Sequence, residues 1–212
     1  NLSTAWNVGS TSFSQNFSVS AKETSPNGVS FKSDGTRMYI TGSSSDSIHE
    51  YHLSTAWDIS SASFDSSFDL SSKDTTVMGH TWKSDGTKFY IAGSSSQKVH
   101  EYDVSTAWDI STATFNQSFQ DPASIRFLFI SGVAFKTDGT KMYIVGRANG
   151  TLYEYNLSTA WDISTATIAH GGHTYKFFAE SMRNFFFKPD GTKFWSIDST
   201  YAVIYGFQMS PR

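Results

Sequence analysis

The side chains able to do chemistry in this chain are few and mostly far apart. There is no cysteine, so neither a thiol nucleophile nor a disulfide is available. The serine-hydrolase elbow G-x-S-x-G, the zinc-protease H-E-x-x-H and the phosphate loop G-x-x-x-x-G-K-[ST] do not occur. Among the six histidines one pair has metal-ligand spacing, His170-Gly-Gly-His173, to which His80 or Glu180 could add a donor. Two imidazoles joined by flexible glycines define a site poorly, because a zinc centre takes three or four protein ligands. These absences predict no catalytic residues, no metal site and no enzyme. A second set suits recognition instead. Arg126, Phe127, His173, Tyr175 and Arg183, together with His80, combine cationic and aromatic groups of the kind that anchor ligands.

The elements that must position these residues are repeats. Trp6, Trp57, Trp108 and Trp161 stand 51, 51 and 53 residues apart, each inside a copy of one phrase: NLSTAWNVGSTS at 1–12, HLSTAWDISSAS at 52–63, DVSTAWDISTAT at 103–114 and NLSTAWDISTAT at 156–167. A second phrase keeps step with it, as FKSDGTRMYI from Phe31, WKSDGTKFYI from Trp82, FKTDGTKMYI from Phe135 and FKPDGTKFWSI from Phe187. Four units of about 50 residues indicate a propeller or solenoid.

One unit reads as four strands. GVSF at 28–31 and RMYIT at 37–41 flank Asp-Gly, a hairpin signal because glycine takes the positive φ of the turn. SIHEYHL at 47–53 alternates, and STAWDIS links it to the polar ASFDSSFDL at 62–70. The units then predict an all-β, four-bladed β-propeller of four-stranded antiparallel blades forming one domain over 1–212. The blades are 28–70, 79–120, 132–169, and 184–208 completed by 12–19. The N-terminal strand thereby closes the ring; a two-chain ring of eight blades is the alternative.

Most repeated words have structural work to do. KSDGT offers one carboxylate where a calcium loop needs several, so Asp is read as a turn residue. The repeated Trp is expected to pack over the seam with the neighbouring blade, with an exposed sugar-stacking platform as the alternative. Glu50, Glu101 and Glu154, present in three copies and replaced by Gly206 in the last, are expected to make a ladder or seam hydrogen bond. Gly28, Gly79, Gly132 and Asn184 begin the inner strands, where carbonyls could ring a cation in the central channel; otherwise no cofactor is expected.

The copies agree on the face carrying KSDGT and STAWDIS and diverge on the other. GSSSDS and GSSSQK give way there to GRANGT and DSTYA, and the crossings at 121–131 and 170–183 are long. A constant scaffold with variable loops suits binding. With a net charge of −3 and no basic cluster, nucleic acid is not an expected partner, and no apolar run is long enough to span a membrane.

The F-K-x-D-G-T-K-x-Y-I phrase resembles the repeats of the WD40-like, YVTN and TolB-type propeller group, although only Phe187-Lys188-Pro189-Asp190-Gly191 carries the proline of that pattern. The STAWDIS phrase is similar to repeats in uncharacterised bacteriophage and marine microbial proteins. The resemblance implies a propeller with a binding role and an extracellular or virion-associated location, and it carries over no site residue. The expected function is therefore a non-enzymatic propeller binding a glycan or protein through the variable face. The alternatives are a self-assembling structural module, a homo-oligomer, and a hydrolase or lyase on a propeller scaffold.

Overall fold

In the computed structural model the described residues are 12–121, 129–146, 150–169, 175–176, 182–198 and 203–208. They form an all-β, four-bladed propeller. Blade 1 consists of β1 (Pro26–Phe31), β2 (Arg37–Gly42), β3 (Ser47–Leu53) and β4 (Ala62–Asp69), paired antiparallel in sequence order. Blade 2 repeats the order with β5 (Val77–Trp82), β6 (Lys88–Gly93), β7 (Lys98–Val104) and β8 (Ala113–Phe119). Blade 3 has β9 (Ile130–Phe135), β10 (Lys141–Gly146), β11 (Thr151–Leu157) and the short β12 (Ala166–Ile168). A two-residue strand, β13 (Tyr175–Lys176), also pairs with β11. The described strands of blade 4 are β14 (Met182–Phe187), β15 (Lys193–Asp198) and β16 (Val203–Gln208). The inner strands β1, β5, β9 and β14 follow one another round the axis, and β14 approaches β1.

Each repeated word has a defined task. Asp34 Oδ1 accepts from the Thr36 backbone N–H at 3.0 Å and hydroxyl at 2.6 Å, closing the hairpin over Gly35, whose φ is +75°. Asp85, Asp138 and Asp190 do the same for Thr87, Thr140 and Thr192. The indoles of Trp57, Trp108 and Trp161 lie flat on Gly35, Gly86 and Gly139, where any Cβ would fall within about 2.5 Å of the ring. The three Trp residues take φ of 65°, 70° and 67°, a left-handed backbone that is rare for so bulky a side chain.

As expected, Trp108 and Trp161 cover seams, each stacked on a tyrosine of the preceding blade, whereas Trp57 is 57% exposed and packs on Phe31 of its own blade. Tyr39 of blade 1 donates to the Trp108 carbonyl of blade 2 at 2.5 Å, and Tyr90 donates to the Trp161 carbonyl at 2.6 Å. Trp108 also packs on Trp82, and Trp161 on Phe135, with centroids 5.0 and 5.2 Å apart. The repeated glutamate makes the expected seam bond. Buried Glu50 accepts from the Ile110 N–H of the next blade at 3.0 Å and pairs with Arg37, while Glu101 accepts from Ile163 N–H at 3.4 Å and pairs with Lys88 at 2.6 Å. Lys88 sets an opposite charge against a carboxylate buried in the seam.

The core is accordingly a series of seam clusters. Tyr39, Ile48 and Leu70 meet Phe89, Ile91, Tyr102 and Val104 between blades 1 and 2. Tyr90, Val99 and Phe119 meet Met142, Ile144 and Tyr155 between blades 2 and 3. The segment 12–19 forms no paired strand, but its Phe17 and Val19 pack on Met38, Ile40, Tyr51 and Leu53 and so cover blade 1 where β4 covers blade 2. Phe17 meets Tyr51 edge-on at 5.6 Å and 80°, the same geometry with which Phe68 of β4 meets Tyr102. At the axis the strands come very close. A Cβ on Gly28 would lie 3.2 Å from Gly79 Cα, and one on Gly132 would lie 3.1 Å from Asn184 Oδ1. These glycines are needed for that approach.

Candidate functional site

The inner strands share a pattern that is broken once. In register against Ile40, Ile91, Ile144 and Ser196 stand Val29, His80, Val133 and Phe185. Three copies place an apolar side chain there; blade 2 places an imidazole that is 8% exposed. A buried polar ring must find partners, and His80 finds two across the seam, both from blade 1. Its Nε2 lies 2.6 Å from Ser30 Oγ, and its Nδ1 lies 2.9 Å from Thr41 Oγ1. Ser30 stands near the end of β1 and is partly exposed, while Thr41 on β2 is fully buried. Asn27, on the same strand as Ser30, donates to the Val77 carbonyl of β5 at 3.3 Å and ties the two inner strands together.

The chain Ser30–His80–Thr41 has the order nucleophile, base, orienting group. With its hydrogen on Nδ1, the imidazole donates to Thr41 and presents a bare Nε2 to the Ser30 hydroxyl. Burial pushes the His80 pKa down to about 4, so at neutral pH the ring is uncharged and able to accept a proton. Thr41 supplies a dipole where a carboxylate would supply a charge, and the imidazolium formed during a turnover is correspondingly less stabilised.

Of the residues singled out in the sequence, only His80 has a described side chain, and it lies at the inner seam of blades 1 and 2 rather than on a variable loop. Tyr175 is placed on β13 opposite Leu152, and Arg183 on β14. Arg126, Phe127, His170, His173 and Glu180 lie outside the described residues. Among the described residues no group of three or more His, Asp or Glu side chains is arranged to hold a metal ion, and no helix is long and apolar enough to cross a membrane. Sequence reasoning missed Ser30 and Thr41. The available signal was the mismatch of His80 with Val29, Val133 and Phe185 in the aligned copies.

No protein-family model matches the sequence, and no curated protein matches it significantly. Solved propellers do match. A provisionally assigned 6-phosphogluconolactonase of Bacteroides fragilis is similar, with TM-score 0.61 and 15% identity over 87% of this chain and 51% of that one. The periplasmic gluconolactonase of Pseudomonas aeruginosa has TM-score 0.56 and 14% identity over 87% and 50% of the respective chains. The Cps50 (Swd1) β-propeller domain of Myceliophteria thermophila has TM-score 0.56 and 10% identity over 87% and 54%. The chain thus spans about half the length of these structures, and the likeness is one of propeller fold. It also corrects the expectation of a non-enzymatic binding propeller. Lactonases stand among the structures of this shape, so the missing motifs do not exclude catalysis.

Proposed function

We propose that this chain is a propeller-scaffold hydrolase acting on a sugar-derived cyclic ester, with Ser30 as nucleophile, His80 as its base and Thr41 as the positioning residue. The observation that carries the reading is the hydrogen-bonded series Ser30–His80–Thr41, found at a position where the other three copies are apolar. The lactonases among the similar propellers support the substrate class. In this reaction Ser30 Oγ attacks the ester carbonyl as its proton passes to His80 Nε2. The ring C–O bond breaks, and His80 returns the proton to the departing alkoxide. Water, deprotonated by the same nitrogen, then releases the acid and restores the serine.

The test is base consumption or a pH-indicator assay with glucono-lactone and a chromogenic acetate ester, each with and without chelator. Turnover lost in Ser30→Ala, while circular dichroism and melting temperature stay as in the parent, is the expected result. Serine-specific labelling by a fluorophosphonate at Ser30 should disappear with it. Hydrolysis that survives Ser30→Ala refutes the assignment.

A further inference from the structure

The crossings that lead into β1 and β5 are each pinned by one buried carboxylate, and each carboxylate is linked through the adjoining turn to a buried histidine. Ahead of β1, Glu23 is 1% exposed. Its Oε1 accepts from the Ser25 N–H at 2.6 Å, the Ser44 N–H at 3.3 Å and the Ser44 hydroxyl, and its Oε2 accepts from the Ser45 N–H at 3.2 Å and hydroxyl at 2.7 Å. Ser45 Oγ in turn lies 2.8 Å from His49 Nε2, and His49 Nδ1 lies 2.7 Å from Ser67 Oγ on β4. Ahead of β5, Asp74 is 2% exposed and accepts from the Thr76 and Ser96 N–H groups, both at 2.7 Å. Ser96 Oγ lies 2.8 Å from His100 Nε2, and His100 Nδ1 lies 2.7 Å from Ser118 Oγ on β8. Blades 3 and 4 carry Tyr153 and Tyr205 at the histidine position, side chains that gain no proton in acid.

In blade 1 the direction of these bonds is fixed. Ser45 spends its one hydrogen on Glu23, so its oxygen accepts from His49 Nε2–H and leaves Nδ1 to accept from Ser67. An added proton must go to Nδ1, displacing the Ser67 hydrogen and leaving a cation in a place shut off from water. Burial is the largest influence on both rings and keeps their pKa values below the usual imidazole range, His100 at about 4. The charged groups facing His49 are Glu23, which favours protonation, and Lys22, which opposes it; facing His100 are Asp74, which favours it, and Lys98 and Lys73, which oppose it. The Phe115 ring, 6.3 Å from His100, adds apolar cover.

We infer that the two networks form an acid-released clasp: protonation of His49 and His100 frees the crossings at 20–25 and 71–76, and with them the seating of the inner strands that carry Ser30 and His80. The last step rests on the hydrolase reading; the release of the crossings does not. Acid would thus loosen the half of the molecule that bears the proposed site.

The test is hydrogen–deuterium exchange between pH 7 and pH 5, corrected for intrinsic rates, at the amides of Ser25, Ser44, Ser45, Thr76 and Ser96. An imidazole held near 4 in the clasp and titrating near 6.5 when released raises the open population about twentyfold between those pH values. That rise is expected at Thr76 and Ser96, with a rise also at the three amides around Glu23. In His100→Tyr, which borrows the residue of blades 3 and 4, the response at Thr76 and Ser96 should vanish while that around Glu23 persists. A wild-type response under threefold, or an unchanged response in the variant, overturns the clasp. Should the variant not fold, an NMR titration of the parent decides: His100 titrating at its ordinary value overturns the proposal, and a value near 4 sustains it. Acid release without any ester turnover would sink the hydrolase reading alone; turnover with acid-insensitive protection would sink the clasp alone.

Discussion

Substituting alanine for a turn glycine separates backbone strain from loss of the indole seat, because the described surroundings of two such glycines differ in one respect. Gly139 and Gly191 both sit in the left-handed region, at φ of 73° and 71°. An alanine Cβ at Gly139 would lie 2.2 Å from Trp161 Nε1 and 2.3 Å from Cδ1, whereas among the described residues nothing lies within 4 Å of a Cβ at Gly191. Left-handed backbone costs an alanine about 1–2 kcal/mol at either site. At Gly139 the indole must also leave. It surrenders its contacts with Phe135 and Tyr90, at 5.2 and 6.5 Å, and disturbs the 2.6 Å bond from Tyr90 to its carbonyl. Aromatic pairs contribute about 0.5–1.5 kcal/mol each and the hydrogen bond about 1 kcal/mol, so Gly139→Ala should cost about 3–6 kcal/mol in all. For a chain of this size each kcal/mol moves the melting temperature by about 2–4 °C. Calorimetry should therefore show Gly139→Ala melting about 10 °C below the parent and Gly191→Ala about 4 °C below it. Equal losses at the two sites would refute the seating argument, since strain alone would then account for both.

Acid should destabilise the fold beyond general charge repulsion. His80 and His100 are both held at about 4, below the unfolded value near 6.5, so the unfolded chain binds protons first and stability present above pH 6.5 is lost as pH falls toward 4. Urea unfolding at pH 7 and pH 4.5 should differ by several kcal/mol, and His80→Val, which restores the residue of blades 1 and 3, should remove part of that difference. Glu101→Ala leaves Lys88 with Asp103 alone and opens the bonds from Ile163, Asn116 and Gln117, and should cost about 2–3 kcal/mol by denaturant titration. Phe17→Ala removes the ring that stands on Tyr51 and should cost about 2–4 kcal/mol, with the loss of protection greatest at β2 and β3.

The fold was legible because its rules are local and said four times. Asp-Gly turns, alternating strands and the position of each Trp follow from residues within one copy, and the seam role of Glu50 and Glu101 followed from its recurrence. The candidate site was legible only in part. His80 could be noticed, but its partners Ser30 and Thr41 lie about 50 and 40 positions away on another blade, and their contact exists only once the seam is packed. Comparing copies by what is repeated hid them; comparing copies by what is broken reveals them. The same contrast separates this pair from His49 and His100, whose serine contacts recur in identical form and belong to the scaffold.

The seated indoles have a consequence for how such a chain can grow. In each of three copies the glycine and the tryptophan that rests on it are 22 positions apart, Gly35 with Trp57, Gly86 with Trp108 and Gly139 with Trp161. A strained backbone and the support that makes it tolerable therefore travel in one genetic segment, and duplication of that segment never delivers one without the other. The bonds between copies, from Tyr39 to Trp108 and from Tyr90 to Trp161, need no segment of their own, since any copy meets the next through the same surfaces. Length can then change by whole units of about 50 residues at little structural risk, leaving single positions such as His80 free to diverge and acquire chemistry.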